Sequence, residues 1–585
     1  MKSELQKLIY KNTGKKAIIE HPVDMEHGDY STNVALKTRS EKSFDSAQGK
    51  QEARSGNPME LANEIVNKIR SAGMPEYISK IEVVQPGFIN FWLSQEYLAN
   101  QLEGVLKDKD GFGKLTIGKG KTVVIDYSSP NIAKPFGIGH LRSTVIGQAI
   151  YNLYNFCGWK TIGDNHLGDW GTQFGKLIYQ IQNSKVKIPL QGKQNLTIEK
   201  LEKLYVDFHK KVEKHPEIED EARKYFQMLE AGDKEVRRIW QACVDLSLKE
   251  FNRIYDLLGI KIDYAFGESF YEDKMAEVIV DAKRKKLAVE SQGALIISFD
   301  ELNIPPGILL KSDGATMYFT RDLACVLYRQ RRWNPDLYIY EVGSDQKLHF
   351  QQVFAGAVKL HYGKMNQFVH VAHGLIRFPE GKMSTRAGKT VHLDTVLDEA
   401  IKRATKIIKK SSTGRGMTVK QQEQIAKAVG IGAVKYFDLK HQPETDIIYD
   451  WEKMFQLEGD SGPYLQYTFA RTRSVLNKIK NKILNIKNTD QILKIKNTLN
   501  SEELGLLRTI YRFPEVIELA AENYSPNLIC NFLFDLAQKY NNFYNIHRIL
   551  GGGDSEEFRL ALTAATGQVL KNGLSLLGID TPERM

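Results

Sequence analysis

What most constrains this chain is the stretch Ser128-Ser129-Pro130-Asn131-Ile132-Ala133-Lys134-Pro135-Phe136-Gly137-Ile138-Gly139-His140-Leu141-Arg142-Ser143-Thr144. The β-branched run Thr122-Val123-Val124-Ile125 precedes it. Leu141, Val145 and Ala149 follow at helical steps beside Ile146, Ile150 and Leu153, so the stretch joins a strand to a helix. Pro130 and Pro135 hold their preceding residues out of the α region. Gly137 and Gly139 let the backbone approach a ligand at a helix start, where unpaired N–H groups favour anions. Together these features outline a nucleotide-phosphate site. The dinucleotide-binding pattern G-x-G-x-x-G is only half present: its third position is Arg142, and a long Pro-containing loop separates it from the strand.

The chain has 585 residues, 42% hydrophobic and 26% charged, enough for roughly three to five globular domains. Its net charge of +10 is modest for the size and permits, without requiring, a polyanionic partner. Cys157, Cys243, Cys325 and Cys530 lie far apart with no C-x-x-C, which favours packed, reduced thiols over a structural zinc. There is no long uncharged apolar run, and Met1-Lys2-Ser3-Glu4 opens no signal-peptide core, so a cytoplasmic protein without membrane contact is expected.

Along the chain, residues 1–113 mix helical segments with the strand candidate Ile81-Glu82-Val83-Val84 and the aromatic run Gly87-Phe88-Ile89-Asn90-Phe91-Trp92-Leu93. Phe88, Phe91 and Trp92 read more readily as core than as a base-stacking platform, and Ser40 to Pro58 reads as an exposed, mobile loop. From about 176 to 292 the pattern is helical and densely charged, an insertion into a nucleotide fold. Strand patterns resume at Gly293–Phe299, Asp336–Val342 and Gln367–Ala372, and strands alternating with helices predict a doubly wound parallel sheet. Asp164, His166 and Asp169 fit no zinc spacing, and the glycines among them suggest a ligand-lining loop. Beyond Asp398 the chain reads as helical. Its Lys-rich segment Asn477–Lys482 could follow a phosphate backbone, although a solvated helix face is the commoner meaning.

Two motifs, in order and separated by the insertion, carry a resemblance. Gly137-Ile138-Gly139-His140 resembles the His-x-Gly-His signature of class I aminoacyl-tRNA synthetases, with Gly137 where the family has histidine. Lys382-Met383-Ser384-Thr385-Arg386 resembles their Lys-Met-Ser-Lys-Ser loop. The flanks Ser129–Pro135 and His140–Thr144 look like arginyl-tRNA synthetases in particular, as do Thr161–Gly175, His27–Leu36, Glu458–Arg471 and the tail from Gly567. The resemblance covers nearly the whole chain.

It implies an α/β multidomain architecture: a Rossmann-like doubly wound catalytic domain with a helical insertion, an α+β N-terminal domain and an all-α C-terminal bundle. The implied bounds are 1–113 for a tRNA-elbow domain, 114–398 for the catalytic domain with its insertion at 176–292, 399–457 for a helical connector and 458–585 for an anticodon-binding domain. The implied reaction is ATP-dependent activation of L-arginine, followed by transfer to tRNA(Arg), by a monomer. His140, Lys382, Lys134 and Arg386 would be catalytic. Gly137, Gly139, His140, His349, Lys382, Met383 and Ser384 would hold ATP, with Mg²⁺ on the phosphates and no dedicated metal cage. Asp126 and Asn131 would face the amino-acid end, Tyr318 and Asp322 the guanidinium, and Gln346 would lie nearby. On a helix, Tyr318 and Asp322 share a face at i, i+4. Without the resemblance, Asp322 reads as an ion pair with Arg321 or Arg329. Two alternatives stand beside this reading: a class I synthetase for another amino acid, and a catalytically silent RNA-binding paralogue, which Gly137 brings to mind.

Overall fold

The computed structural model describes residues 1–22, 24–37, 57–184, 196–377, 391–479 and 499–585. The mobile-loop expectation for Ser40–Pro58 falls almost wholly outside them, as does most of the Lys-rich segment after Asn477. The described residues form two compact units: Met1–Phe112 with Thr472–Phe513 and Leu536–Val569, and Gly113–Arg471 with Pro514–Asp535 and Leu570–Met585.

The first unit carries an antiparallel sheet in the order β1-β3-β2, from β1 (Tyr30–Thr32), β2 (Ile78–Val84) and β3 (Phe88–Leu93). Strand alternation splits the aromatic run: Phe91 is fully buried, while Phe88 is exposed and Trp92 half-buried beneath the Lys80 ammonium, 4.4 Å from its ring. Helix Pro58–Ser71 starts where proline suits the first turn and the Asn57 carboxamide oxygen accepts the Met59 N–H at 3.0 Å. Its stripe Ala62, Ile65, Val66 and Ile69 is buried. Residues from far along the chain complete this unit. Asp29 accepts the Leu93 N–H at 2.8 Å and the Arg508 guanidinium at 2.5 Å, and the Tyr30 hydroxyl donates to Tyr511.

The second unit contains β4 (Thr122–Asp126), β5 (Lys160–Asp164), β6 (Ala288–Ser291), β7 (Ala294–Ile297), β8 (Gly307–Leu310), β9 (Leu337–Gly343), β10 (Phe368–His373), β11 (Ile376–Arg377) and β12 (Ile447–Ile448). Its central sheet is parallel throughout, in the order β10-β9-β4-β5. Val123, Val124 and Ile125 are buried, as a strand covered on both faces requires. Helix Gly139–Phe156 packs so closely on the strand end that a Cβ at Gly147 would lie 2.3 Å from that of Tyr127. The expected strand at Gly293–Phe299 does form, but not in this sheet. β7 pairs antiparallel with β6 and β8 in a separate three-stranded sheet, and its alternating burial suits a sheet with one face on the core. Between β5 and β6 the insertion is helical, with helices Thr172–Gln182, Ile198–Val212, Ile218–Glu230, Lys234–Leu258 and Met275–Arg284. Helices dominate again from Leu393. All four cysteines are buried and free, and burial pushes the thiols of Cys157 and Cys243 up to about 12. Among the described residues, no helix is long and apolar enough to cross a membrane.

Candidate active site

The strand order itself locates a site. The chain runs from β4 outward to β5, then returns to the other side of β4 for β9 and β10, so winding reverses between β4 and β9. Crevices at the carboxyl ends of strands, at such a switch point, hold ligands in open α/β sheets. The loop after β4 is the signature stretch; the turn after β9 carries Ser344–Gln346, and the helix Lys347–Lys359 that follows carries His349.

The signature loop is held in an unusual conformation. Ser128, Ser129 and Ala133 have φ of 76°, 43° and 63°, a region that non-glycine residues occupy only when their surroundings insist. The bonds that insist are visible. Ser128 Oγ shares hydrogen bonds with Thr144 Oγ1 and the Tyr255 hydroxyl, each 2.8 Å. The Ser129 N–H donates to Asn165, and the Ala133 N–H to Ser247. Asn131 pairs in parallel with Gly168, where a Cβ would come within 2.5 Å of the Asn131 carboxamide oxygen. That approach explains one glycine of the 163–175 run.

Beyond the loop, Gly137 is buried and bridged antiparallel to His392, whereas Gly139 is exposed with open space where a side chain would be. His140 lies in the first turn of helix Gly139–Phe156, edge-on to Phe136 at 5.6 Å. Burial, with His373 and Lys134 adding positive potential, lowers its pKa to about 4, so it is a neutral hydrogen-bonding group at physiological pH. His373 itself pairs with the buried Glu341 at 3.0 Å. Lys134 is exposed, its ammonium 5.7 Å from the Tyr205 ring.

A cluster of titratable side chains stands at the start of helix Tyr318–Trp333. Tyr318, 60% exposed, and the half-buried Asp322 lie one turn apart on it. The alternative pairing of Asp322 with Arg321 or Arg329 does not occur. Arg321 bonds Glu272 at 2.7 Å and approaches Glu268 at 3.7 Å, and Arg329 bonds Asp126 at 2.6 Å and Asp164 at 2.8 Å. Asp322 instead faces His349 at 2.5 Å and His166 at 3.7 Å. Its carboxyl lies below the usual range: burial, the largest influence, would raise it, but the His349 hydrogen bond and the charges of His349, His166 and Arg321 together outweigh that.

The sequence-selected residues therefore separate. Asp322 and His349 meet at the helix start, one turn from the exposed Tyr318, while Gly139, His140 and Lys134 belong to the signature loop and helix. Gln346 is exposed in the turn after β9. Asp126 belongs to neither: its carboxylate is 5% exposed and spent on Arg329 and Ser129. Lys382, Met383, Ser384 and Arg386 lie outside the described residues. Sequence reasoning missed Glu268, which is largely buried near Arg321 and whose carboxyl burial pushes up to about 7. An acidic residue in a densely charged insertion looks like a solvated face, so no local signal singles it out. Asp169 accepts both the N–H and the hydroxyl of Ser269, at 2.8 and 2.6 Å.

Comparison with known proteins covers the whole chain. The family model for tRNA synthetases class I (R), catalytic domain, matches residues 101–451. The model for the arginyl tRNA synthetase N terminal domain matches 1–93, and that for the DALR anticodon binding domain 465–585. The arginine–tRNA ligase of Clostridioides difficile (strain 630) is 40% identical over 572 residues, 97% of this chain and 96% of its own. That of Clostridium botulinum (strain Alaska E43 / Type E3) is 40% identical over 526 residues, 89% of this chain and 91% of its own. Two solved structures share the fold at a TM-score of 0.81: arginyl-tRNA synthetase from Plasmodium falciparum, 24% identical, covering 100% of this chain and 99% of that one, and the Thermus thermophilus enzyme, 21% identical, covering 100% of both.

Proposed function

The chain belongs to the class I arginyl-tRNA synthetases, and from that premise we propose how its residues divide the work of joining arginine to tRNA(Arg). The reaction has two steps. The arginine carboxylate attacks the α-phosphate of ATP and expels pyrophosphate; the arginyl group then passes to the 3′-terminal adenosine. Neither step needs a covalent enzyme nucleophile, so the protein's task is to align reactants and balance charge.

In this reading Gly139 admits the nucleotide close to the helix start, and neutral His140 hydrogen-bonds it without adding charge. Lys134 lends positive potential, and so do Lys382 and Arg386 of the second motif, whose Met383 and Ser384 hold ATP. Mg²⁺ arrives with ATP as part of the substrate; among the described residues no cluster of three or more His, Cys, Asp or Glu could hold a resident ion. Tyr318 and Asp322 receive the guanidinium, with Gln346 nearby and Glu268 as a neighbouring acceptor, and Asn131 serves the amino-acid end. Asp126 acts through Arg329 as part of the floor.

The observation that carries the arginine assignment is the Asp322 carboxylate. It is kept ionised at a helix start with an aromatic ring one turn away, and no arginine of its own helix pairs with it. A monomer working in the cytoplasm, with an elbow domain at 1–113, a connector at 399–457 and an anticodon bundle at 458–585, completes the proposal. Arginylation of a tRNA(Arg) transcript by the purified chain, with the other amino acids as controls, tests it. Charging with a different amino acid, or none, would refute it.

A further inference from the structure

Asp322 is approached from both sides. His349 Nε2 lies 2.5 Å from one oxygen and His166 Nε2 3.7 Å from the other, with the two imidazole side chains 24% and 17% exposed. A guanidinium binds a carboxylate best through two parallel N–H bonds, and here the imidazoles already stand against that edge. Arginine cannot shed its proton to fit, whereas an imidazolium can. We propose that arginine enters its pocket by exchange: the guanidinium displaces the His349 ring from Asp322, and the ring releases its proton to solvent. This rests on the assignment of Asp322 to the guanidinium.

The surrounding charges single out His349. On the helix of Asp322, Arg321 is turned to Glu272 and Glu268, and Arg329 is balanced by Asp126 and Asp164. The loop after β5 brings His166 and also Asp169, whose oxygens are taken by Ser269. Burial works against a charge on His166, but the neighbouring Cys325 and Asp322 outweigh it and lift its pKa to about 10, so it keeps its proton near neutrality. His349 is lifted less far, burial opposing its hydrogen bond to Asp322. The segment Glu268–Lys274 brings Glu268, pushed up to about 7 by burial and so a group able to change protonation near neutrality. Among the described residues, only His349 makes a hydrogen bond with the carboxylate that the guanidinium needs. The exchange also fixes a direction: a proton on His349 competes with arginine, so affinity rises with pH until that proton is gone.

The test is a proton count. Arginine is titrated calorimetrically into the full chain at about pH 7, with and without a saturating tRNA(Arg) transcript, in buffers of low and high ionisation enthalpy. The expected result is a net release of up to one proton per arginine bound. His349→Gln keeps a donor near the Nε2 position but cannot titrate, so its release should fall towards zero, while Glu268→Gln should retain it. Binding without proton release overturns the exchange, and so does release that persists in His349→Gln and disappears in Glu268→Gln. A different failure would point elsewhere: no arginine binding in any arm, or binding that Asp322→Asn leaves unchanged, removes the pocket assignment itself.

Discussion

Arg142 and Thr445, 303 positions apart, are joined inside the second unit by a hydrogen bond of 2.6 Å from the guanidinium of one to the carbonyl of the other. The same guanidinium bonds Asp438 at 3.2 Å, and both side chains are 1% exposed. Next to Thr445, the Asp446 carboxylate accepts the Leu375 N–H at 2.7 Å and the Arg377 guanidinium at 2.8 Å, just where the chain leaves β10. One arginine of the signature helix thus reaches the turn that grips the strand end of the sheet.

Removing one partner of a buried ion pair strands the other, at a cost of about 3–5 kcal/mol. Arg142→Met should therefore lower stability by that order, and adding Asp438→Leu should recover much of the loss. Urea denaturation of the two variants checks this. Equal losses in single and double variants would mean that the pair contributes through packing rather than charge.

Asp322→Asn keeps the shape of the side chain and removes its charge. If Asp322 receives the guanidinium, the requirement for arginine should rise by about 1.5–3 kcal/mol, the worth of a charge-assisted hydrogen bond, with the ATP requirement nearly unchanged. Steady-state ATP–pyrophosphate exchange with arginine and ATP varied in turn separates the two, and equal weakening of both would take Asp322 out of the pocket.

Gly137 occupies the position where the family signature has histidine, and its backbone is bridged to His392. A histidine there would offer a hydrogen bond to charge building on the phosphates, and losing one preorganised donor typically costs about 3–4 kcal/mol. Gly137→His should speed arginine-dependent exchange at least roughly tenfold, or about 1.4 kcal/mol, with substrate affinities little changed. No gain in rate would show that Lys134, His140 or another group already carries the charge. Arginylation too slow to detect in the natural chain would revive the silent-paralogue alternative.

Lys435 lines a cleft of about 210 Å³ at the end of helix Lys234–Leu258, away from the signature loop. It is 2% exposed, and its ammonium donates to the carbonyls of Leu258 and Gly578. Burial lowers its pKa from 10.5 to about 8. Below pH 8 both folded and unfolded chains hold the proton, and the fold bears the cost of a buried charge. Between about 8 and 10.5 the unfolded chain holds more protons, so this group makes stability rise with pH, by roughly 3 kcal/mol across the window. Wild type should gain on Lys435→Met over that range in urea midpoints; a difference independent of pH would contradict it.

Much of this was legible from short-range pattern. The strand before Ser128, the helix after Gly139, the strands at 337 and 368 and the shared face of Tyr318 and Asp322 all follow from local periodicity. What was not legible depends on partners distant in sequence. Nothing within Gly293–Phe299 says whether its hydrogen bonds go to the parallel sheet or to β6 and β8. Asp126 looked available for a ligand because Arg329, its partner, lies 203 residues on. The hydrogen bond of His349 to Asp322, 27 residues away, is likewise invisible to local pattern.

The bond from Arg508 to Asp29 places a timetable on the nascent chain. The ribosome must add 479 residues after one partner before it delivers the other, roughly 25–100 s at about 5–20 residues per second. The parallel sheet needs nothing beyond His373 to pair its last strand. Throughout that interval Asp29 and Tyr30 have been made without Arg508 and Tyr511, so a segment made long before the parallel sheet is sealed only after it.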